Sequence, residues 1–141
     1  MVMLYKNDLS VEEYHGLYSS VGWIAPPKEQ IEKALQNSLL TVKAKIDEKT
    51  VGMGRLIGDG SLSFMVKDVA ILPEYQRQGI GKKIMENMIA HIKQQIPRGQ
   101  NVCVELFSGF EKEAFYEQFG FGKKPDGFVG YGMMMLEAGE K

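Results

Sequence analysis

Apolar and polar positions along this chain change their period several times, and each change marks an element. Residues 2 to 5, Val-Met-Leu-Tyr, predict a short strand. Asp8 or Ser10 followed by Glu12 and Glu13 predicts a capped, acid-rich helix start, with the helix running to about Ser20. Gly22-Trp23-Ile24-Ala25-Pro26-Pro27 breaks that helix with a loop, and Pro27 opens a second helix through about Gln36 because its φ is already helical. Leu39 to Ile46, Thr50 to Ile57 and Leu62 to Leu72 are alternating, β-branched stretches separated by Asp47-Glu48-Lys49 and Gly58-Asp59-Gly60-Ser61, so three antiparallel strands in succession are expected. After Pro73 the period becomes 3.6. Ile80, Ile84, Met88, Ile92 and Ile96 stripe one helix over 79–96 that stops before Pro97. Val102 to Phe107 predicts a buried strand, Glu111 to Phe119 a short helix closed by Gly120, and Gly130 to Leu136 a last strand with Met133, Met134 and Met135 alternating between core and surface. The helix over 79–96 joins two strands that should run parallel. The expectation is one α+β domain over residues 1–141, with a mixed, mostly antiparallel sheet of about six or seven strands and about four helices.

Composition narrows the function classes. The 44% hydrophobic and 25% charged content is that of an ordinary globular protein. No apolar run approaches the ~20 residues of a membrane span and no apolar signal region starts the chain, so a cytoplasmic protein without membrane partners is expected. A net charge of -1 with interspersed acids and bases gives no support for nucleic-acid binding. Cys103 is the only cysteine and the two histidines are far apart, so no metal site is expected; inside an apolar run, Cys103 is expected to be core filler.

The candidate chemistry begins at Pro73-Glu74-Tyr75-Gln76-Arg77-Gln78-Gly79-Ile80-Gly81-Lys82-Lys83, where a strand, a glycine turn and a helix start coincide. A helix start offers unpaired N–H groups and the positive end of the dipole, and glycine lets an anion approach the backbone closely. Arg77, Lys82 and Lys83 add positive charge. The P-loop pattern fails because Lys83 follows Lys82, and the dinucleotide pattern fails because Ile84 stands at the third glycine position. Gln76-x-x-Gly79-x-Gly81 resembles the pyrophosphate-binding signature of the GCN5-related N-acetyltransferase (GNAT) superfamily. Asp68-Val69-Ala70-Ile71-Leu72-Pro73 resembles that family's fourth strand, and Ala114-Phe115-Tyr116-Glu117-Gln118-Phe119-Gly120-Phe121 its late helix. The resemblance covers residues 39 to 121; Val51 to Asp59 followed by Asp68-Val69 is similar to the branch of plant serotonin N-acetyltransferase-like enzymes. Glu111 departs from the family pattern, standing where many members carry an Asn that contacts the cofactor.

What the resemblance implies is an acetyl-coenzyme A-dependent N-acetyltransferase with splayed fourth and fifth strands. The pantetheine arm would bond the backbone of Val69 and Ile71, and the diphosphate would meet Gln76, Arg77, Gln78, Gly79, Ile80, Gly81 and Lys82. Tyr116 would protonate or hold the leaving thiolate, as the family places a Tyr there; a core stripe with Phe115 and Phe119 at helical spacing is the alternative. The acceptor is expected to be a primary amine of a small molecule, attacking directly in a ternary complex. Such an amine has a pKa near ~10.4, so about one molecule in two thousand is neutral at pH 7 and a base must take its proton. Asp68 and Glu105 are the candidate bases, being acids in otherwise apolar strand runs where desolvation raises a carboxyl pKa; a structural carboxylate is the alternative for each. Trp23, Tyr18 and Tyr14, with the Pro26-Pro27 loop, could wall the acceptor site or simply pack the first helix. A protein or peptide acceptor and a non-catalytic acyl-coenzyme A sensor stay open as alternatives, as does the choice between monomer and homodimer.

Overall fold

The computed structural model describes residues 1–140. Two compact units follow one another, Met1–Leu106 and Phe107–Lys141.

The first unit is a five-stranded sheet in the order β1 (Val2–Lys6), β2 (Leu40–Ile46), β3 (Lys49–Gly58), β4 (Ser63–Ile71) and β5 (Cys103–Glu105). The first four strands pair antiparallel and β5 pairs parallel with β4. Helices cover both faces. On one lie α1 (Val11–Ser20) and α2 (Lys28–Gln36), where Tyr14, Leu17 and Ile31 pack on Met53 of β3 and Ala70 of β4. On the other lies α3 (Ile80–Gln95), whose Ile80, Ile84, Met85, Met88 and Ile92 are all buried. Close approach of α3 depends on two glycines of β3. A Cβ at Gly52 would lie 2.7 Å from Ile71 Cδ1 and 3.1 Å from Ile84 Cδ1, and one at Gly54 would lie 2.9 Å from Ile84 Cγ2.

Local chemistry sets the helix starts as the pattern predicts. Ser10 caps α1 in a reciprocal box: Glu13 N–H donates to Ser10 Oγ at 3.1 Å and Ser10 N–H to Glu13 Oε1 at 2.9 Å. Pro27 stands at the N-cap of α2. The strand register holds one irregularity of consequence. Met53 pairs with Ala70 and Arg55 with Lys67, so the two residues Asp68 and Val69 stand opposite Gly54 alone. This is a β-bulge, with Asp68 in the left-handed region at φ 57°.

The second unit contains α4 (Glu113–Glu117), and its chain turns at Gly120 with φ 100°. Phe115 stacks edge-on to Tyr116 and to Phe119 at centroid distances of 5.0 and 5.3 Å. Asp126 holds the next turn by accepting from the N–H groups of Phe128 and Val129.

Three expectations are corrected. Among the described residues the sheet has five strands, not six or seven. Residues 130–136 form no strand, and Met133, Met134 and Met135 are all exposed rather than alternating. The stretch Val102–Phe107 yields only a three-residue strand, with Cys103 and Glu105 exposed. Along this stretch Val102, Val104 and Leu106 are half-buried while Cys103 is exposed, so Cys103 is no core filler.

Candidate active site

The turn between β4 and α3 is built to leave donors free. After a 3-10 turn over Pro73–Tyr75, Arg77 and Gly79 both take positive φ, 62° and 81°, which swings the chain into α3. The first helical bond runs from Lys83 N–H to Gly79 C=O at 3.1 Å. Ile80, Gly81 and Lys82 therefore present N–H groups with no acceptor in the helix. A Cβ built on Gly79 would meet no atom within 4 Å, so space over the turn is open. Ile80 is 1% exposed, so any ligand role belongs to its main chain. Lys82 is exposed and 3.8 Å from Glu86. The two glutamines face inward to the turn: Gln76 Nε2 donates to Ile71 C=O at 3.0 Å and Gln78 Nε2 to Glu74 C=O at 3.3 Å. They shape the turn by holding its backbone. An oriented set of N–H groups at the positive end of a sixteen-residue helix, with Arg77 and Lys82 adjacent, fits a diphosphate.

Strand β4 leads into this turn along an open edge. It pairs with β5 only over Ser63–Met65, against Cys103–Glu105, and then continues to Ile71 without that neighbour. Leu72 N–H donates to Val51 C=O at 2.9 Å, on the β3 side. Backbone groups alternate in direction along a strand, so those of Val69 and Ile71 face away from β3. Pairing between the fourth and fifth strands covers Ser63–Met65 and no more.

On the α1 face, the bulge carries Asp68 into a network. Tyr14 OH donates to Asp68 Oδ2 at 2.7 Å and Arg55 Nε donates to the same oxygen at 2.6 Å. Arg55 Nη1 continues to Ser38 Oγ at 3.2 Å, so one guanidinium ties β3 to the end of α2. Burial raises the Tyr14 phenol well above its ordinary value, and its bond to Asp68 adds to that. Tyr18 is raised for the same first reason, with the charge of Asp68 second. From Tyr14 an aromatic ladder leads outward: Tyr14 stacks on Tyr18 at 5.4 Å and Tyr18 meets Trp23 edge-on at 4.9 Å, with Trp23 41% exposed.

The residues predicted for chemistry thus fall in different settings. Asp68, Tyr18 and Trp23 share one face of the first unit, connected through Tyr14. Glu105 is exposed on β5, which removes the desolvation that recommended it as a base. Tyr116, in the second unit, is half-buried among Phe115 and Phe121, and burial raises its phenol above the ordinary value. Arg55 and Ser38 are the members that sequence reasoning missed. The available signal was an arginine inside the apolar run Val51–Ile57, which needs a buried anion to pair with.

The model of the acetyltransferase (GNAT) domain family matches residues 37–123, from just before β2 to just beyond α4. This chain belongs to the GNAT acetyltransferase family. Its donor-bearing turn, open β4 edge and bulge all lie inside the matched stretch. Among relatives, the uncharacterized N-acetyltransferase ycf52 of Pyropia yezoensis is 31% identical over 127 residues, covering 87% of this GNAT chain and 71% of its own length. Among solved structures, a probable acetyltransferase of meticillin-resistant Staphylococcus aureus superposes with a TM-score of 0.86 at 32% identity, covering 98% of this chain and 100% of its own. A GNAT family acetyltransferase of Streptococcus pneumoniae TIGR4 follows at 0.81 and 33%, with 97% and 98% covered. The protein is accordingly an acetyltransferase, and GNAT members generally take the acetyl group from acetyl-coenzyme A.

Proposed function

We propose that this GNAT acetyltransferase moves the acetyl group of acetyl-coenzyme A onto the primary amine of a small molecule, by direct attack in a ternary complex. The observation that carries the cofactor half is the trio of unpartnered N–H groups at Ile80, Gly81 and Lys82 under open space at Gly79. Acetyl-coenzyme A supplies a thioester and a diphosphate. The turn from Gln76 to Lys82 would hold the diphosphate through main-chain N–H groups, with charge from Arg77 and Lys82. Gln76 and Gln78 keep the turn in shape. The main chain of Val69 and Ile71, facing away from β3, would orient the pantetheine arm, and an N–H there would hold the oxyanion.

Asp68 is the candidate to receive the amine's proton, since Arg55 and Tyr14 both donate to Oδ2 and neither takes Oδ1. Tyr116 is the candidate acid for the departing thiolate. A phenol is protonated at neutral pH, the state a donor needs, and burial shifts this one further in that direction. Glu105, exposed on the edge strand, is the weaker base. The ladder from Tyr18 to Trp23 would receive the body of the amine, an apolar or aromatic one by its chemistry. That agrees with the similarity of Val51–Asp59 and Asp68-Val69 to the plant serotonin N-acetyltransferase-like branch.

One observation favours a second reading, a non-catalytic acyl-coenzyme A sensor: Asp68 and Glu13, the half-buried acids on the α1 face, are already hydrogen-bonded. A thiol-release assay with acetyl-coenzyme A against a panel of alkyl and aryl amines and lysine peptides separates the readings. Release with small amines supports the proposal. Release only with peptides moves the acceptor to proteins, and calorimetric cofactor binding with no release from any acceptor leaves the sensor.

A further inference from the structure

The guanidinium of Arg55 does more than pair with one carboxylate. Its Nε donates to Asp68 Oδ2 at 2.6 Å and its Nη1 to Ser38 Oγ at 3.2 Å, while the hydroxyl proton of Ser38 goes to Ala34 C=O at 2.8 Å. With its only proton committed to α2, Ser38 presents a lone pair to Arg55 in a fixed direction. The side chains of Arg55 and Asp68 are 13% and 12% exposed. Stability alone does not account for so buried a pair, because well-packed apolar side chains of similar volume often do as well in its place. Nor does it account for Asp68 at φ 57°, a conformation that a non-glycine residue keeps only where its surroundings hold it.

The arrangement treats the two carboxylate oxygens differently. Tyr14 OH and Arg55 Nε converge on Oδ2, and no described residue donates to Oδ1. Among the described residues the one buried side-chain polar atom without a partner is Asn87 Oδ1, so Asp68 Oδ1 is not buried and meets solvent. One oxygen is clamped and the other is open. The charge of Asp68 is felt at Tyr18, which leads to the half-open Trp23.

We propose that Arg55 is a positioning residue for acetyl transfer: seated on Ser38 just past the end of α2, it fixes the Asp68 carboxylate so that Oδ1 faces the incoming amine. This rests on Asp68 as the proton acceptor proposed above. A bound ammonium loses two protons on the way to an amide. Asp68 Oδ1 takes the first, which frees the electron pair that bonds to the thioester carbon. The electron pair of the C–S bond leaves with sulfur, and the second proton goes with it as thiol. Asp68 returns its own proton to solvent through the same open oxygen. A guanidinium suits the holding role because its planar fork spans two partners at once and stays charged throughout; a lysine ammonium has no such fork.

The test compares phenethylamine with its β,β-difluoro analogue at saturating acetyl-coenzyme A. Their bodies are alike, but fluorine makes the analogue a much weaker base, so a far larger share of it is neutral before it binds and has no need of Asp68. Arg55→Lys is expected to lower kcat for phenethylamine by at least about tenfold and for the analogue by no more than about twofold, with calorimetric coenzyme A affinity equal to the parent's. Ser38→Ala, which leaves the ion pair in place, should act in the same direction by about threefold. Equal losses on both amines would mark a merely structural residue and overturn the proposal, as would parent rates in Arg55→Lys. A parent that acetylates neither amine overturns the acceptor assignment itself and this proposal with it, so the parent control tells the two failures apart.

Discussion

The phenol of Tyr14 on α1 donates to Oδ2 of Asp68 at the bulge of β4, 2.7 Å away, and so couples the helix that carries Tyr18 to the strand that carries Val69 and Ile71. The proposed acceptor wall and the proposed cofactor strand are thereby joined through one carboxylate. Asp68 holds a left-handed backbone that an L-residue adopts at a cost, so the bonds from Tyr14 and Arg55 also stabilise the bulge itself. Tyr14→Phe is expected to lower stability by about 1.5–3 kcal/mol, the range for a hydrogen bond to a charged group, while retaining the ring stack on Tyr18. Arg55→Met, which strands a carboxylate only 12% exposed, is expected to cost about 3–5 kcal/mol. Urea unfolding of both variants and the double variant checks this. Strictly additive losses would mean that the two donors do not act on one carboxylate.

The donor-bearing turn makes a separate prediction. Gly79→Glu puts a carboxylate into the open space over the turn and a side chain on a backbone at φ 81°. The strain is expected to cost about 1–2 kcal/mol of stability, leaving a folded protein. Coenzyme A affinity should fall by at least a hundredfold, and Gly81→Glu should act alike on binding. Calorimetric affinity equal to the parent's in either variant would remove the diphosphate assignment.

Tyr116→Phe removes the phenolic proton and little else, because the ring keeps its neighbours Phe115 and Phe121. A general acid contributes about 10²–10⁴-fold, so kcat should drop by that order with the KM for acetyl-coenzyme A nearly unchanged. If the departing coenzyme A thiolate needs no proton from Tyr116, kcat will be unaltered and the role lies elsewhere.

Much of this was legible in the chain. Period 3.6 from Ile80 to Ile92 identifies α3 because five buried positions recur on one face, and Ser10 with Glu13 identifies the start of α1 because a cap is a local event. The glycine turn is legible for the same reason: Gly79 and Gly81 constrain only their own backbone. What escaped depends on contacts distant in sequence. Arg55 and Asp68 meet across a bulge that no local pattern signals, and Tyr14 reaches the same carboxylate from fifty-four residues away. Exposure of Cys103 and of Gly130–Leu136 escaped because an apolar run records a need for cover without recording what provides it.

Gly52 is where that dependence can be probed in the core. A Cβ there would press on Ile71 Cδ1 at 2.7 Å, Ile84 Cδ1 at 3.1 Å and Ile80 Cγ2 at 3.3 Å, three side chains that dock α3 on the sheet. Gly52→Ala is expected to destabilise by about 1–3 kcal/mol through overpacking. Because Ile80 begins the helix that carries the free N–H groups, the same variant should also weaken coenzyme A binding by a few fold. A gain in melting temperature would show that the packing relaxes freely.

Acid stability should report on Glu13. Burial pushes its carboxyl up, but Thr50, the Ser10 N–H and Lys43 hydrogen-bond its anion and together bring it from 4.5 down to about 2. Lys43 Nζ lies 3.1 Å from Glu13 Oε1 and 3.1 Å from Asp8 Oδ2, and these bonds raise the lysine above its ordinary value against the opposing effect of its burial. The signs follow by linkage. The folded pKa of Glu13 is below the unfolded one, so its contribution is fully present above pH 4.5 and is lost as pH falls toward about 2. Lys43 is raised, so its contribution is complete below 10.5 and is lost only as pH climbs beyond it. Urea midpoints measured from pH 6 down to 2 should decline below about 4.5, and Glu13→Gln should flatten that decline while lowering the pH 6 value. Ser10→Ala, which deletes one half of the capping box, should cost about 1 kcal/mol at neutral pH. If Glu13→Gln keeps the parent's full acid slope, the anion at position 13 is not what the fold relies on between α1 and β2.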